Sequence, residues 1–429
     1  MMIKPLFIRE RSNVTALKQP KEIGRYSRKS YKENVENESV KQNCSTAGYK
    51  SKYYINDDIF LNYYYLPNDD LDKRIINLSG GFNKFKNASP VDDLSLHGLL
   101  ATLIDIESKK NKKSKVDVVT MRGIIKSLIM LFNSLGSRNT TASSTDVDLQ
   151  VVTFDGQIFI KKAGSLNSQH QETQEKPSTN ESLTRPVGSR FSNTTRESQY
   201  LKKCEYSGYK FETCATLPRP VSEIPREKLD KRYKKIGTND EQYNILVKTG
   251  IGNCKMILGA EVDAVFDFKE ESQKIGEVPE NLKHYLELKT SKMITNAHQA
   301  KTFENKLFNA WLQCFLVGVP RITYGFRDDD FNLVAVEEFL TNEIPVNLKN
   351  MNSLVSNHFG DSIKWYGAVV EWLLKNVEYK EGQENYYRLF YQDNYLKLEK
   401  IPDFDTEKVV EYKNIISDEF RKWRLSLQH

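Results

Sequence analysis

Cysteine is sparse in this 429-residue chain. The five residues Cys44, Cys204, Cys214, Cys254 and Cys314 stand far apart, with no C-x-x-C pair among them. An odd number at such spacing argues against a disulfide framework and against a thiolate zinc site, and it fits a reducing compartment. Long apolar runs are missing too. No stretch approaches the roughly 18 apolar residues that cross a bilayer, and the opening MMIKPLFIRERSN lacks the apolar middle of a signal peptide. The expectation is a cytoplasmic protein, with the nucleus as the alternative, and no membrane partner. A strong excess of one charge is also absent. Lys and Arg number 63 against 57 Asp and Glu, a net +6, which permits a nucleic-acid partner without demanding one.

What is present is a soluble composition, 39% hydrophobic and 28% charged, with ample length for a core. The chemistry concentrates between Gly259 and Gly325, in GAEVDAVFDFKEES, HYLELKTSK and KTFENKLFNAWLQCFLVGVPRITYGFRD. Side chains of a strand alternate faces, so Glu261 and Asp263 share one face around Val262, and Glu287 and Lys289 share one around Leu288. Two adjacent strands of this kind would present three carboxylates and one ammonium on a single surface. Such oxygen ligands suit Mg²⁺ or Mn²⁺, and phosphodiester-cleaving sites often hold two such ions. Lys289 would hold the nucleophilic water or the phosphate charge. E-x-D followed by E-x-K is a nuclease pattern of the PD-(D/E)xK type. A structural ladder of ion pairs is the competing reading.

Along the chain, residues 1–50 are polar and basic and are expected to form a partly ordered arm. Phe60–Tyr65 reads as a strand, and Leu94 to Ile104 as a helix with acidic residues at its start. SKKNKKSK, from Ser108 to Lys115, is a solvated loop or a basic patch. A strand from Val116 to Met121 ends at Arg122-Gly123, where Arg122 suits either a phosphate or an ordinary carboxylate partner. VDLQVVTFDGQIFIKK is a hairpin turning at Asp155-Gly156. Residues 163–199 hold almost no large apolar side chains and are expected to be a disordered insert within one domain spanning 1–429. GYKFE, Gly208 to Glu212, reads as a strand with Glu212 as a candidate fourth carboxylate. EQYNILVKTGIG and CKMILGAEVDAVFDF form an antiparallel pair. A helix follows, with Phe303, Leu307, Trp311 and Cys314 on its apolar stripe and Lys306, Asn309 and Gln313 on another face. Gln313 would reach a nucleotide or simply be exposed. Two amphipathic helices near the C-terminus are expected on the outside, with a strand at NYYRLFY between them.

Taken together, GAEVD, YLELKTS, the W-x-Q helix and GFRD, in this order, closely resemble the DXO family of RNA decapping exonucleases. VTMRG, the FDG hairpin and GYKFE extend the likeness upstream, with PKEIGRYS fainter near the start. The resemblance covers most of the chain outside the insert and the ends. It implies an α/β fold of twisted mixed sheets flanked by helices on a PD-(D/E)xK-like core. Glu212, Glu261, Asp263 and Glu287, with the main-chain carbonyl of Leu288, would bind two divalent ions. Lys289 and Gln313 would contact the scissile phosphate or nucleophile, and Met121, Arg122 and Gly123 the RNA 5′ end; Asn244 falls where relatives often carry a Cys near the substrate. The implied activity is hydrolysis after the first nucleotide of a capped RNA, releasing a cap dinucleotide, followed by 5′-to-3′ exonucleolysis of the monophosphorylated product by a monomer. The family includes fungal proteins that partner a nuclear 5′-3′ exonuclease, so a stabilising role toward such an enzyme is the alternative. Met121 where the family commonly has Trp, together with the large insert, makes the chain look more like the fungal decapping exonuclease branch than the branch serving as nuclear cofactor. A DNA endonuclease on the same metal core is a third reading.

Overall fold

The computed structural model describes residues 3–32, 49–89, 95–132, 147–163, 190–271 and 278–427. Its strands are β1 (Ile3–Phe7), β2 (Leu17–Lys32), β3 (Tyr49–Ile55), β4 (Tyr63–Tyr64), β5 (Val118–Met121), β6 (Asp148–Phe154), β7 (Gln157–Lys162), β8 (Thr216–Leu217), β9 (Glu241–Ile251), β10 (Cys254–Glu261), β11 (Ala264–Val265), β12 (Tyr285–Lys292), β13 (Arg321–Arg327), β14 (Leu333–Leu340), β15 (Asn385–Gln392) and β16 (Tyr395–Lys400). The helices are α1 (Asn68–Lys73), α2 (His97–Lys110), α3 (Arg122–Met130), α4 (Arg190–Ala215), α5 (Arg226–Leu229), α6 (Ala297–Phe315), α7 (Ile344–Asn350), α8 (Ser356–Asn376), α9 (Thr406–Lys413) and α10 (Asp418–Ser426). Two mixed sheets result. One runs β1-β16-β15-β6-β7-β5-β10-β9-β2-β3, the other β14-β13-β12-β11-β4-β8. This is the expected α/β architecture of mixed sheets flanked by helices.

Both faces of the large sheet are covered, and its central strands are correspondingly apolar on both sides. In β10, Met256, Leu258 and Ala260 enter the core shared with α3, α6 and α8, whereas Ile257 enters a second core beneath α2, α9 and α10. Alternation of this kind locks the register, because a one-residue slip would exchange the two faces. The Asp155-Gly156 turn has φ of 49° and 69°, the two-residue geometry whose twist matches the flanking strands β6 and β7.

Three pairings position the site. Strand β5 lies parallel to β10 with Met121 opposite Gly259, so both strands end at one edge, and α3 begins there with Arg122. On the other side β9 runs antiparallel, with Asn244 opposite Glu261. The chain then leaves the large sheet through Val262 and Asp263 and enters the small one at β11, which pairs Ala264 with Leu286 of β12. Strand β12 runs parallel to β13, and α6 makes the crossover between them.

Several expectations are corrected. Residues 1–50 are not an arm: β1 pairs with β16, and β2 is a 16-residue strand between β9 and β3. Its buried residues include Ser27, Arg28 and Ser30 beside Tyr26, so polarity masked its place in the sheet. Residues 33–48 lie outside the described residues, as do 164–189 of the expected insert. Residues 190–199 are the first turns of α4, not loop, and GYKFE lies in the same helix rather than in a strand. Helical phase buries Lys210, whose Nζ donates to the Tyr233 carbonyl at 2.8 Å. The strand at Phe60–Tyr65 shrinks to the two residues of β4. Helix α8 is amphipathic as expected, with Trp365, Tyr366, Val369 and Val370 buried against the core and Lys364, Glu371 and Lys375 on its exposed stripe. The last amphipathic stretch splits into α9 and α10. SKKNKKSK runs off the end of α2, with Lys113 held by Asp155 and Glu381, each at 3.1 Å.

Candidate metal centre and active site

Four elements converge on one cleft. Glu261 closes β10, Asp263 follows in the link to β11, Glu287 sits in the middle of β12, and Glu212 comes from the last turn of α4. Glu287 is buried; Glu212, Glu261 and Asp263 are half-buried. The expected face-sharing holds locally, because Val262 is buried between its two acidic neighbours. The expectation that Glu261 and Glu287 occupy adjacent strands does not hold. They belong to different sheets, and the crossing at Val262–Asp263 brings them together.

Local packing explains Glu212. Phe211 is fully buried, and a Cβ at Gly325 would lie 2.6 Å from its ring. The glycine of GFRD therefore admits the Phe211 ring, which seats α4 against the small sheet with Glu212 next to it. Asp263 is fixed by the backbone: the Leu288 N–H donates to its Oδ2 at 2.6 Å.

Cations frame the same cleft. Lys289 donates to Glu287 Oε1, and Gln313 Nε2 donates to that oxygen at 2.5 Å. Arg122 Nη1 lies 3.5 Å from Glu287 Oε2. Lys126, one turn along α3, donates to Gln313 Oε1 at 3.2 Å. Gln313 is thus not idle at the surface; it links Lys126 to Glu287. Arg122 takes a carboxylate partner here, and Gly123 beside it is open, with nothing within 4 Å of where a Cβ would stand. Of the other two residues on that face of α6, Lys306 donates to Ser291 Oγ at 3.1 Å, while Asn309 donates back to the Asn305 carbonyl at 3.0 Å and takes no part in the cluster.

The electrostatics separate the carboxylates. Burial pushes Glu212 well above the usual carboxylate range, and the charges of Asp263 and Glu261 push it further. Burial, followed by the Glu287 charge, raises Asp263 to about 7. Glu261 is also raised by burial, against the pull of Arg28. Burial would raise Glu287 as well, but Lys289 and Arg122 overcome it and hold it below its ordinary value. Burial disfavours charged Lys289, yet Glu287 and Asp263 more than compensate, so it stays firmly protonated. In Lys126, burial and the charges of Lys289 and Arg122 lower the ammonium to about 8.

The donor set suits a hard divalent ion. These are oxygen ligands whose mutual repulsion is visible in the raised Glu212 and Asp263, and a bound cation would relieve it. Among the described residues no three acidic, His or Cys side chains close around a common point; Lys289 and Gln313 instead hold Glu287.

Residues 18–421 match the family described as RAI1 like PD-(D/E)XK nuclease. The chain belongs to this family. It is 43% identical over 430 residues to the decapping nuclease RAI1 of Kluyveromyces lactis, covering 99% of this chain and 98% of that protein. It is 41% identical over 432 residues to the decapping nuclease RAI1 of Saccharomyces cerevisiae, at 99% and 98% coverage. The fold is similar to that of Candida albicans Rai1 in complex with pU5-Mn2+, with a TM-score of 0.79 and 36% identity over 100% of both chains. It is also similar to Scheffersomyces stipitis Rai1 in complex with (3'-NADP)+ and calcium ion, with a TM-score of 0.75, 33% identity and coverage of 99% and 100%.

For a RAI1-like nuclease the sequence reading missed two basic residues. Lys126 follows Arg122 at i+4 on a helical face, a signal readable once α3 is recognised. Arg28 lay in a segment read as an arm, and only the placement of β2 beside β9 brings it near Glu261.

Proposed function

We propose that this protein is a metal-dependent nuclease acting on RNA 5′ ends. It hydrolyses the phosphodiester after the first nucleotide of incompletely or non-canonically capped RNA, releases the cap dinucleotide, and then degrades the monophosphorylated product from 5′ to 3′. The observation that carries this reading is the cluster of Glu212, Glu261, Asp263 and Glu287 against Lys289, Arg122 and Lys126. Family membership and the decapping names of the relatives support the substrate, as does the relative crystallised with pU5-Mn2+.

Glu212, Glu261, Asp263 and Glu287, with the Leu288 carbonyl, would hold Mg²⁺ or Mn²⁺, which when bound supplies an activated water and charge neutralisation at the phosphate. The protein's own contribution is positioning and charge. Leu288 N–H fixes Asp263, Gln313 and Lys289 orient Glu287, and Lys289 offsets charge developing on the phosphorane. Met121, Arg122 and Gly123 would receive the 5′ end, where the open space at Gly123 lets backbone approach a ligand. Asn244, buried opposite Glu261, would line the same end.

Capped, 5′-labelled RNA incubated with Mn²⁺ should yield a dinucleotide with the wild type and essentially none with Glu261→Ala/Asp263→Ala. Equal cleavage by the two proteins overturns the site, and cleavage of internal sites in duplex DNA overturns the substrate.

A second reading, a stabilising partner for a larger 5′-3′ exonuclease, is favoured by one surface. Val346, Met351 and Leu354, on α7 and just after it, are 57%, 70% and 79% exposed. Met351→Asp/Leu354→Asp should abolish co-purification with such an exonuclease while sparing cleavage. Unchanged co-purification removes this surface from consideration.

A further inference from the structure

Outside the carboxylate cleft, a cavity of about 870 Å³ opens between the loop at Gly81–Lys84, the exposed side of α4 and the segment around Lys234. Phe82, Lys84, Tyr200, Lys203, Lys234 and Ile236 line it, and no acidic residue does. Among the described residues none of the three lysines forms an ion pair. Lys203 lies 4.6 Å from the centre of the Phe331 ring, which holds its ammonium in place without cancelling the charge.

The cavity is joined to the catalytic carboxylates by rings. Phe82 packs on Tyr206 at 5.6 Å between centroids, Tyr206 on Phe85 at 5.1 Å, and Phe85 stacks on Tyr209 at 5.6 Å. Tyr209 in turn lies near enough to Glu212 and Glu261 for both charges to act on its hydroxyl. Phe82, Phe85 and Tyr209 are all partly exposed. Tyr206 is buried and backs the other rings; partly exposed rings beside uncompensated lysines are the chemistry that holds single-stranded nucleic acid, with bases stacking on the rings and phosphates meeting the ammonium groups.

We propose that this cavity is a subsite for the downstream strand of an RNA whose 5′ end lies at the carboxylate cleft. The proposal rests on the RNA-cleaving reading above and extends it to the strand beyond the cut. The helix sets the distance. Tyr200 and Lys203 precede Glu212 on α4 by 12 and 9 residues, about 14–18 Å at 1.5 Å per residue, or roughly four to five stacked nucleotides at 3.4 Å each. A short RNA does not reach the cavity; a longer one does.

The test compares 5′-monophosphorylated oligouridylates of 3 and 10 nucleotides with the wild type, with Lys84→Ala/Lys203→Ala/Lys234→Ala, and with the same three positions changed to Arg. Binding is read by fluorescence anisotropy across a salt series and cleavage by product release in Mn²⁺. The Ala variant should bind the 10-mer about tenfold or more weakly, with the salt slope flatter by roughly 2 units for three lost phosphate contacts. It should handle the 3-mer as the wild type does, and the Arg variant should retain 10-mer binding. Equal effects on both lengths, or no effect on either with an unchanged melting temperature, overturn the subsite. Failure of the wild type to bind or cleave either RNA overturns the RNA reading itself, a result distinct from loss of length dependence.

Discussion

The Arg122 guanidinium lies 3.5 Å from the Glu287 carboxylate, joining residues 165 apart in the chain. Arg122 opens α3 at the edge of the large sheet and Glu287 belongs to the small one, so this contact spans the seam where the cleft forms. Glu287→Gln removes the charge that orders Lys289 and Arg122, and activity should fall at least about 100-fold, equivalent to ~2.7 kcal/mol of barrier. Arg122→Lys should not restore an Arg122→Ala loss, because an ammonium lacks the planar fork. Steady-state kinetics on monophosphorylated RNA check both; a Lys variant as active as wild type would show that only charge matters there.

Metal dependence should appear in stability as well as in turnover. Glu212 and Asp263 are raised by burial and neighbouring carboxylates, so a cation that binds only the folded state lowers a repulsive energy. At about 100 times its dissociation constant such an ion stabilises by roughly 2.7 kcal/mol. Thermal melts should rise with added Mn²⁺, fall back with EDTA, and rise markedly less in Asp263→Asn. A variant with the full Mn²⁺ response would remove Asp263 from the ligand set.

Glu22 lies far from this chemistry in sequence and is 3% exposed, with no partner for Oε2. Burial raises it from 4.5 to about 7, against the pull of Arg25. The folded state therefore binds more protons than the unfolded chain between pH 4.5 and 7, and the wild type loses stability as pH rises through that window. Glu22→Gln keeps the shape without the charge. It should be more stable than wild type at pH 8 by on the order of 2–3 kcal/mol, with the difference vanishing below about pH 5. Urea melts at the two pH values decide; a constant difference would place the effect elsewhere.

Gly259 faces the end of β5, where a Cβ would lie 2.6 Å from Met121 Sδ and 2.9 Å from Leu99 Cδ1. Gly259→Ala should cost about 1–3 kcal/mol by overpacking and push Met121 toward the cleft. Adding Met121→Ala should recover part of that loss, giving a coupling of about 0.5 kcal/mol or more in a double-mutant cycle. Additive effects would show that Leu99, rather than Met121, bears the clash.

Some of this was legible from residues alone, and the rest needed the folded chain. Alternation around Val262 and Leu288 set Glu261, Asp263, Glu287 and Lys289 on common faces, because strand periodicity is local and depends only on neighbours. The Asp155-Gly156 turn and the apolar stripe of α6 were local in the same sense. Glu212 was found by its motif but assigned to the wrong element, since GYKFE fits either period and only Phe211 seated against Gly325 selects the helix. Arg28 was invisible because a polar strand resembles a loop until its neighbours in the sheet are known. The partners of Glu287 come from β12, α3 and α6, and no spacing along the chain encodes that meeting. Sequence determined which groups could carry the charge; the crossing between the two sheets decided which of them meet, because burial and Coulomb forces act through space, not along the backbone.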